Sequence, residues 1–196
     1  MRRQHLVIMV KAPEAGRVKT RLAAAIGAVE AVRCYRAMLA HTMRRVADRR
    51  WATWLAVTPD GAAPRMAAHG IAAMPQGPGG LGTRMQRVMD ELPPGPVVIV
   101  GSDIPGIGRG DVAAAFRALG GHDAVFGPAD DGGYWLVGQR RIPRVLRLFE
   151  NVRWSSAETL GDTMENLEGR TVALLRTLGD LDGEADYLRW RRGRNS

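Results

Sequence analysis

The chain has 196 residues, of which 45% are hydrophobic and 24% charged, and its net charge is +8. This size and composition favour a single globular domain over residues 1–196. The positive charge is spread along the chain, which favours a solvated arginine-rich surface over a nucleic-acid-binding patch. A single cysteine excludes an internal disulfide and a cysteine-based metal cluster. No apolar run is long enough to span a bilayer or to form a signal peptide, so we expect a cytoplasmic protein without a membrane span.

Strand-like and helix-like patterns alternate along the chain. Continuous apolar runs predict strands over 5–10, 51–58, 71–75, 96–101, 123–129, 134–138 and 171–175. Apolar residues at intervals of three or four predict one long helix from Leu22 to Val46. Further helices are expected over 62–69, 81–92, 110–119 and 155–167, the last with a capping box at Ser155 and Glu158, and a terminal helix is expected after residue 180. The alternation predicts an α/β three-layer sandwich with a mainly parallel mixed sheet.

This fold class predicts where a ligand would bind. In open α/β sheets the ligand crevice lies beyond the carboxyl ends of the parallel strands. The candidate functional residues are therefore those that directly follow each predicted strand.

The segment after the first strand contains both lysines of the chain, Lys11 and Lys19. Gly16 allows a close approach of the backbone to a ligand, and Lys19 and Arg21 add positive charge just before a helix. These features favour binding of a di- or triphosphate over a merely basic surface loop. The segment matches neither the P-loop motif nor the dinucleotide-binding G-x-G-x-x-G motif.

Carboxylates follow three other predicted strands. Asp103 comes directly after the strand over 96–101, where it could bind Mg²⁺ or Mn²⁺ or could cap the next turn. Asp182 lies beyond the last strand and could complete a metal site or could interact with the dipole of the next helix. The pair Asp130 and Asp131 precedes two glycines, which indicates either a hairpin turn or a site where a sugar or base approaches the backbone.

Six segments carry a resemblance to a known family. The segments KAPEAGRVKTRL, GPGGLGTRM, GSDIPGI, GPADDGGYWLVG, VRWSS and LGDLDGEADYL occur in the order seen in the DUF2064 family of glycosyltransferase-like proteins. That family includes transferases associated with radical-SAM proteins and an arsenosugar-biosynthesis group, and it belongs to the nucleotide-diphospho-sugar transferase (GT-A) superfamily. The resemblance covers roughly residues 5 to 188 and implies a Rossmann-like nucleotide-binding fold.

The resemblance also implies roles for individual residues. It implies a nucleotide-phosphate loop made of Lys11, Ala12, Pro13, Gly16, Lys19 and Arg21. It implies a nucleotide-base loop made of Gly80, Leu81 and Gly82, and a sugar or acceptor side made of Asp131, Gly132, Gly133 and Tyr134. Asp103 and Asp182 would be the ligands of Mg²⁺ or Mn²⁺.

This chain departs from the family pattern at three positions. Ala15 stands where the family usually has proline, and Thr83 stands where it usually has an acidic residue. The superfamily's D-x-D motif is reduced to Ser102-Asp103, which weakens the expectation of metal dependence.

The resulting hypothesis is a transferase that uses a nucleotide-activated donor. The favoured reaction is glycosyl transfer from an NDP-sugar to a small-molecule acceptor, with Asp131 as the base and with Lys19, Arg21 and a divalent ion stabilising the leaving group. Two alternatives stay open. One is a guanylyltransferase-like nucleotidyltransferase that releases pyrophosphate, and the other is a non-catalytic nucleotide-binding protein.

Overall fold

The computed structural model describes residues 3–14, 16–67 and 70–179, and of Arg21 it describes the backbone only. The strands of this part of the chain are β1 (Gln4–Lys11), β2 (Trp51–Thr58), β3 (Ala72–Pro75), β4 (Val97–Gly101), β5 (Ala124–Pro128), β6 (Tyr134–Gln139) and β7 (Val172–Leu174). They form one sheet in the order β3-β2-β1-β4-β6-β5-β7. Strand β6 is antiparallel to both of its neighbours, and the other pairings are parallel. The predicted mainly parallel mixed sheet is confirmed.

The helices of the same residues are α1 (Thr20–Ile26), α2 (Ala28–Val46), α3 (Ala63–Met66), α4 (Leu81–Glu91), α5 (Arg109–Ala118) and α6 (Thr159–Glu165). A short 3₁₀ turn, Asp60–Ala62, precedes α3. None of the described helices has the length and apolar character needed to cross a membrane.

The sheet separates two hydrophobic cores. Successive β1 side chains point to opposite faces, so that Leu6 and Ile8 pack in one core and Val7 packs in the other. Helices α2 and α5 cover the first core, and α4 covers the second. Each fully buried aliphatic side chain contributes about 1.5–3 kcal/mol. Burial on both faces explains why the strands are continuous apolar runs, and it confirms the predicted three-layer sandwich.

The predicted long helix from Leu22 to Val46 is wrong, because the chain forms two helices that meet at Gly27. The φ and ψ angles of Gly27 are 85° and 152°, a backbone conformation that is open to glycine and strained for other residues. The apolar spacing continues across the break, which is why periodicity alone did not reveal it.

The predicted capping box at Ser155 and Glu158 is also wrong. Helix α6 begins later, at Thr159, and its first turn has no side-chain cap. The Thr159 hydroxyl instead bonds the carbonyl oxygens of Arg153 and Ser156, at 2.8 and 2.9 Å, so it closes the preceding loop. The predicted terminal helix lies outside the described residues.

Candidate functional site

A polar cavity lies at the carboxyl ends of β1, β2 and β4 and has a volume of about 480 Å³. Its charged lining residues are Lys11, Lys19, Arg84 and Asp103. Among the described lining residues, three cations therefore face one carboxylate. We call this space the cationic cavity. Its place and its charge are those expected of a site for an anionic ligand in an open α/β sheet.

Lys19 and Asp103 form an ion pair across this cavity. The distance from Lys19 Nζ to Asp103 Oδ2 is 2.6 Å, and the two side chains are 8% and 27% exposed. Lys19 occupies the N-cap position of α1 with φ 47° and ψ 49°, a left-handed conformation that costs a residue with a Cβ about 1–2 kcal/mol. The fold therefore holds this ammonium group in place at an energetic cost, as is common at functional sites.

A buried hydroxyl network supports the cavity from the side of α2. The Tyr35 hydroxyl accepts a hydrogen bond from the backbone N–H of Lys11 at 3.1 Å and shares another with Ser102 Oγ at 3.2 Å. Thr42 Oγ1 donates to the Ser102 carbonyl oxygen at 3.2 Å. Burial raises the pKa of Tyr35, which keeps the phenol neutral. The network joins Lys11, at the end of β1, to Ser102, which directly follows β4 and precedes Asp103.

The sequence analysis missed Arg84, which is the fourth residue of α4 and the third cation of the cationic cavity. Its Nε donates to the Gly79 carbonyl oxygen at 2.8 Å, and its Nη1 lies 3.4 Å from both Thr58 Oγ1 and Gln76 Oε1. The buried Gln76 is itself fixed, because its Nε2 donates to the Val10 and Ala56 carbonyl oxygens. The available signal was an arginine in the first turns of a helix that directly follows a glycine-rich loop.

A second cavity of about 260 Å³ adjoins the first, and Met9 and Leu81 border both. Apolar side chains form most of its wall, including those of Met85, Ile99 and Trp154. We call this space the apolar cavity. The exposed Asp131 lies at its rim. Its Oδ1 accepts a hydrogen bond from the Gly133 N–H at 2.9 Å, which orients the carboxylate.

The structure brings together several of the residues that the sequence analysis singled out. Lys11, Lys19, Asp103 and Leu81 line the cationic cavity. Asp131, Gly133 and Tyr134, again with Leu81, line the apolar cavity. Asp182 lies outside the described residues, and the same holds for the side chain of Arg21.

Two candidate glycines, Gly82 and Gly132, pack against other parts of the protein and do not line either cavity. A Cβ on Gly82 would lie 2.8 Å from Trp154 Cζ2, and a Cβ on Gly132 would lie 2.3 Å from the Ala157 carbonyl oxygen. Both glycines thus allow close packing. For these two glycines, a role near the base or the sugar stays a prediction.

The remaining candidates belong to the loops around the cavities. Ala12 is buried, and its N–H donates to the Thr58 carbonyl oxygen at 2.7 Å. The Pro13 carbonyl oxygen accepts a hydrogen bond from Arg36. Gly16 is exposed with φ 75°, and Gly80 precedes α4. None of these four is among the described residues that line the two cavities.

The described residues do not form a divalent-metal site by themselves. No cluster of three or more His, Cys, Asp or Glu side chains suited to a metal occurs among them. Asp103 is the carboxylate of the cationic cavity, and its Oδ2 accepts the hydrogen bond of Lys19. An ammonium group thus already bonds one of the two oxygen atoms of the Asp103 carboxylate.

The fold is that of nucleotide-diphospho-sugar transferases and related nucleotidyltransferases. A crystal structure described as a "putative nucleotide-diphospho-sugar transferase" from Desulfovibrio desulfuricans G20 is 29% identical, has a TM-score of 0.86, and is matched over 100% of this chain and 90% of that chain. CMP:2-keto-3-deoxy-manno-octonic acid synthetase complexed with CTP is 14% identical, with a TM-score of 0.61 over 99% of each chain. Rv0371C of Mycobacterium tuberculosis H37Rv in complex with manganese is 17% identical, with a TM-score of 0.57 over 96% of this chain and 97% of that chain.

Residues 39–156 match the family described as "Uncharacterized protein conserved in bacteria (DUF2064)". The chain belongs to this family. A comparison with curated proteins finds no match.

Proposed function

We propose that this protein is a glycosyltransferase that moves a sugar from an NDP-sugar to a small-molecule acceptor. The observation that carries the proposal is the cationic cavity at the carboxyl edge of the sheet, where Lys19, Lys11 and Arg84 surround one carboxylate. A nucleoside diphosphate is an anionic group that this arrangement suits. The likeness, at 29% identity, to the structure described as a "putative nucleotide-diphospho-sugar transferase" supports the choice of donor.

In the proposed reaction, the acceptor hydroxyl oxygen attacks the anomeric carbon of the donor sugar. The bond between that carbon and the phosphate oxygen breaks, and its electron pair stays on the leaving nucleoside diphosphate. Lys19, Lys11 and Arg84 stabilise the charge that develops there. The carboxylate of Asp131 takes the acceptor proton, because it lies at the rim of the adjoining cavity. Holding donor and acceptor in neighbouring cavities supplies the required proximity.

Divalent-metal assistance by Mg²⁺ or Mn²⁺ stays a prediction, with Asp103 and Asp182 as the candidate ligands. The complex of Rv0371C with manganese is a precedent within the fold. The described residues do not form such a site, so in the steps above only cationic side chains stabilise the leaving group. Nucleotide affinity measured in Mg²⁺, in Mn²⁺ and in EDTA checks the prediction.

Nucleotidyl transfer is the main alternative, because the same cations would suit a triphosphate as well as a diphosphate. In that reaction a phosphate-bearing substrate attacks the α-phosphorus of an NTP, and pyrophosphate leaves. Incubation with a panel of NDP-sugars and acceptors, and separately with NTPs and sugar phosphates, distinguishes the two. We expect nucleoside diphosphate as the released product, and release of pyrophosphate alone would rule out the glycosyltransferase.

The variant Asp131→Asn separates catalysis from simple nucleotide binding. We expect it to reduce turnover while the affinity for the nucleoside diphosphate stays at the wild-type value, because Asp131 lines only the neighbouring cavity. A wild-type protein that binds nucleotide and yields neither product across the panel would favour the non-catalytic alternative.

A further inference from the structure

We infer that the apolar cavity binds the acceptor, and that this acceptor is an alcohol or phenol with an apolar body rather than a sugar. The inference rests on the proposed function, and it adds the chemical class of the second substrate. The wall is formed largely by apolar side chains, among them Met85, Ile99 and Val137. A polyhydroxylated ligand would leave most of its hydroxyl groups without partners against such a wall.

Four hydroxyl-bearing side chains line the cavity, those of Tyr134, Ser155, Ser156 and Thr159, and two of them, Ser156 and Thr159, already bond the protein backbone. Ser156 Oγ donates to the Arg153 carbonyl oxygen at 2.9 Å and accepts from the Glu158 N–H at 3.3 Å. Thr159 Oγ1 bonds the Arg153 and Ser156 carbonyl oxygens. The Tyr134 hydroxyl lies 3.5 Å from Thr163 Oγ1, and burial raises the pKa of Tyr134. The raised pKa keeps the phenol of Tyr134 neutral.

Asp131 is the charged group among the described residues that line this cavity. One carboxylate at the rim suits a ligand with one hydroxyl group and an apolar remainder. Each buried hydroxyl left without a partner lowers affinity by about 5- to 150-fold. Each buried CH₂ group raises affinity by about fourfold. These two effects together select against a free sugar.

The cavity is preformed by the packing of its walls. The Trp154 ring lies against Gly82, where a Cβ would be only 2.8 Å from Trp154 Cζ2. The neighbouring Arg153 is held by Asp162 through bonds of 2.8, 2.9 and 2.7 Å from its backbone N, Nε and Nη2. A volume of about 260 Å³ exceeds the 150 Å³ of an engineered cavity that binds benzene. A substituted ring or a branched alkyl chain therefore fits.

The position of the cavity matches an acceptor site. Met9 and Leu81 border both cavities, so a ligand in the apolar cavity adjoins a nucleotide in the cationic one. With its hydroxyl group at Asp131, the acceptor would present that oxygen next to the donor.

The test measures binding of phenol, 4-ethylphenol, 4-propylphenol and glucose through the quenching of tryptophan fluorescence, since Trp135 and Trp154 line the cavity. We expect affinity to rise about fourfold with each added CH₂ and glucose to give no saturable signal. Tighter binding of glucose than of 4-propylphenol, or no binding of any phenol, would overturn the inference.

A matched pair of variants localises the binding. Leu81 and Leu174 are exposed leucines, at 47% and 56%, and only Leu81 borders the cavity. We expect Leu81→Ser to weaken 4-propylphenol binding about tenfold and Leu174→Ser to leave it unchanged. Equal affinity in both variants would overturn the inference.

Calorimetry with a nucleoside diphosphate on the same samples separates this inference from the proposed function. Binding of nucleotide without binding of phenols contradicts the acceptor class alone. Binding of phenols without nucleotide contradicts the proposed function and supports the apolar preference of the cavity. Failure of both ligands to bind contradicts both.

Discussion

Lys19 Nζ lies 2.6 Å from Asp103 Oδ2, although the two residues are 84 positions apart in the chain. This pair joins the loop after β1 to the end of β4 within one cavity. Because the Lys19 side chain is 8% exposed, solvent screens its charge only weakly.

The first prediction concerns the charge of Lys19. We expect Lys19→Met to weaken nucleoside diphosphate binding about 10- to 100-fold, since it removes a charge-assisted hydrogen bond and leaves the Asp103 carboxylate facing the phosphates. Isothermal titration calorimetry checks this. Arg50→Met is the control, because it removes an equal charge just before β2, at the opposite edge of the sheet. An equal loss of affinity in both variants would mean that only net charge matters.

The second prediction concerns Asp103→Asn. Whether this variant raises or lowers nucleotide affinity tests for metal assistance. In EDTA we expect the variant to bind nucleoside diphosphate a few-fold more tightly than wild type, because one negative charge facing the phosphates is removed. If Asp103 is a metal ligand, the same variant binds more weakly than wild type in Mg²⁺ or Mn²⁺. An equal gain in nucleotide affinity with and without metal would exclude Asp103 as a metal ligand.

The third prediction concerns the hydroxyl network of Tyr35. We expect Tyr35→Phe to lower the free energy of unfolding by about 1–2 kcal/mol and to weaken nucleotide binding, since the Lys11 N–H and the Ser102 hydroxyl lose their partner. Thermal denaturation and calorimetry measure both effects. Tyr134→Phe is the control, because its hydroxyl makes a longer contact of 3.5 Å outside the cationic cavity. Loss of stability with unchanged nucleotide affinity would show that the network does not position the site.

The fourth prediction concerns Gly132 in the hairpin between β5 and β6. Its φ is 85°, and a Cβ there would lie 2.3 Å from the Ala157 carbonyl oxygen. We expect Gly132→Ala to destabilise the protein by about 2–5 kcal/mol through backbone strain and steric overlap. Gly161→Ala in α6 should stabilise it by about 0.5–1 kcal/mol, because its Cβ would meet no atom within 4 Å. Melting temperatures of the two variants should therefore move in opposite directions.

The fifth prediction concerns pH and the loop that forms one wall of the apolar cavity. Hydrogen bonds from the Arg153 side chain and backbone lower the pKa of Asp162 to about 2, from an ordinary value of 3.8. Since the pKa is lower in the folded state, the stability from this contact is complete above pH 3.8 and is lost as the pH falls through about 2. We expect the difference in melting temperature between wild type and Asp162→Asn to shrink between pH 4 and pH 2. A constant difference over that range would contradict this role of Asp162.

Much of the fold could be predicted from short-range patterns. Side chains in a strand alternate between faces, and helical side chains recur every 3.6 residues, so the apolar spacing alone located the strands and most helices. Because the carboxyl ends of parallel strands share one edge of a sheet, the strand ends also indicated where Lys19 and Asp103 would lie. The order and pairing of the strands did not follow from these patterns.

Other parts of the site depend on contacts between distant segments. Arg84 belongs to the cavity because Gln76 and Thr58 lie beside it, and no local pattern distinguishes it from the many other arginines. Gly82 and Gly132 were interpreted as glycines near the base and the sugar, and in the fold they also pack closely against Trp154 and Ala157. A glycine in the sequence indicates that another group can approach the backbone closely, and only the fold decides which group that is.

The sequence by itself determined the class of the fold, the edge of the sheet that carries the candidate site, and the positive charge of the loop after β1. These properties depend on backbone periodicity and on residue type within a few positions. The tertiary structure alone decided the pairing of Lys19 with Asp103, the break at Gly27, and the division of the site into a cationic and an apolar cavity. Such features arise from packing between segments far apart in the chain, where geometry rather than local propensity selects the contact.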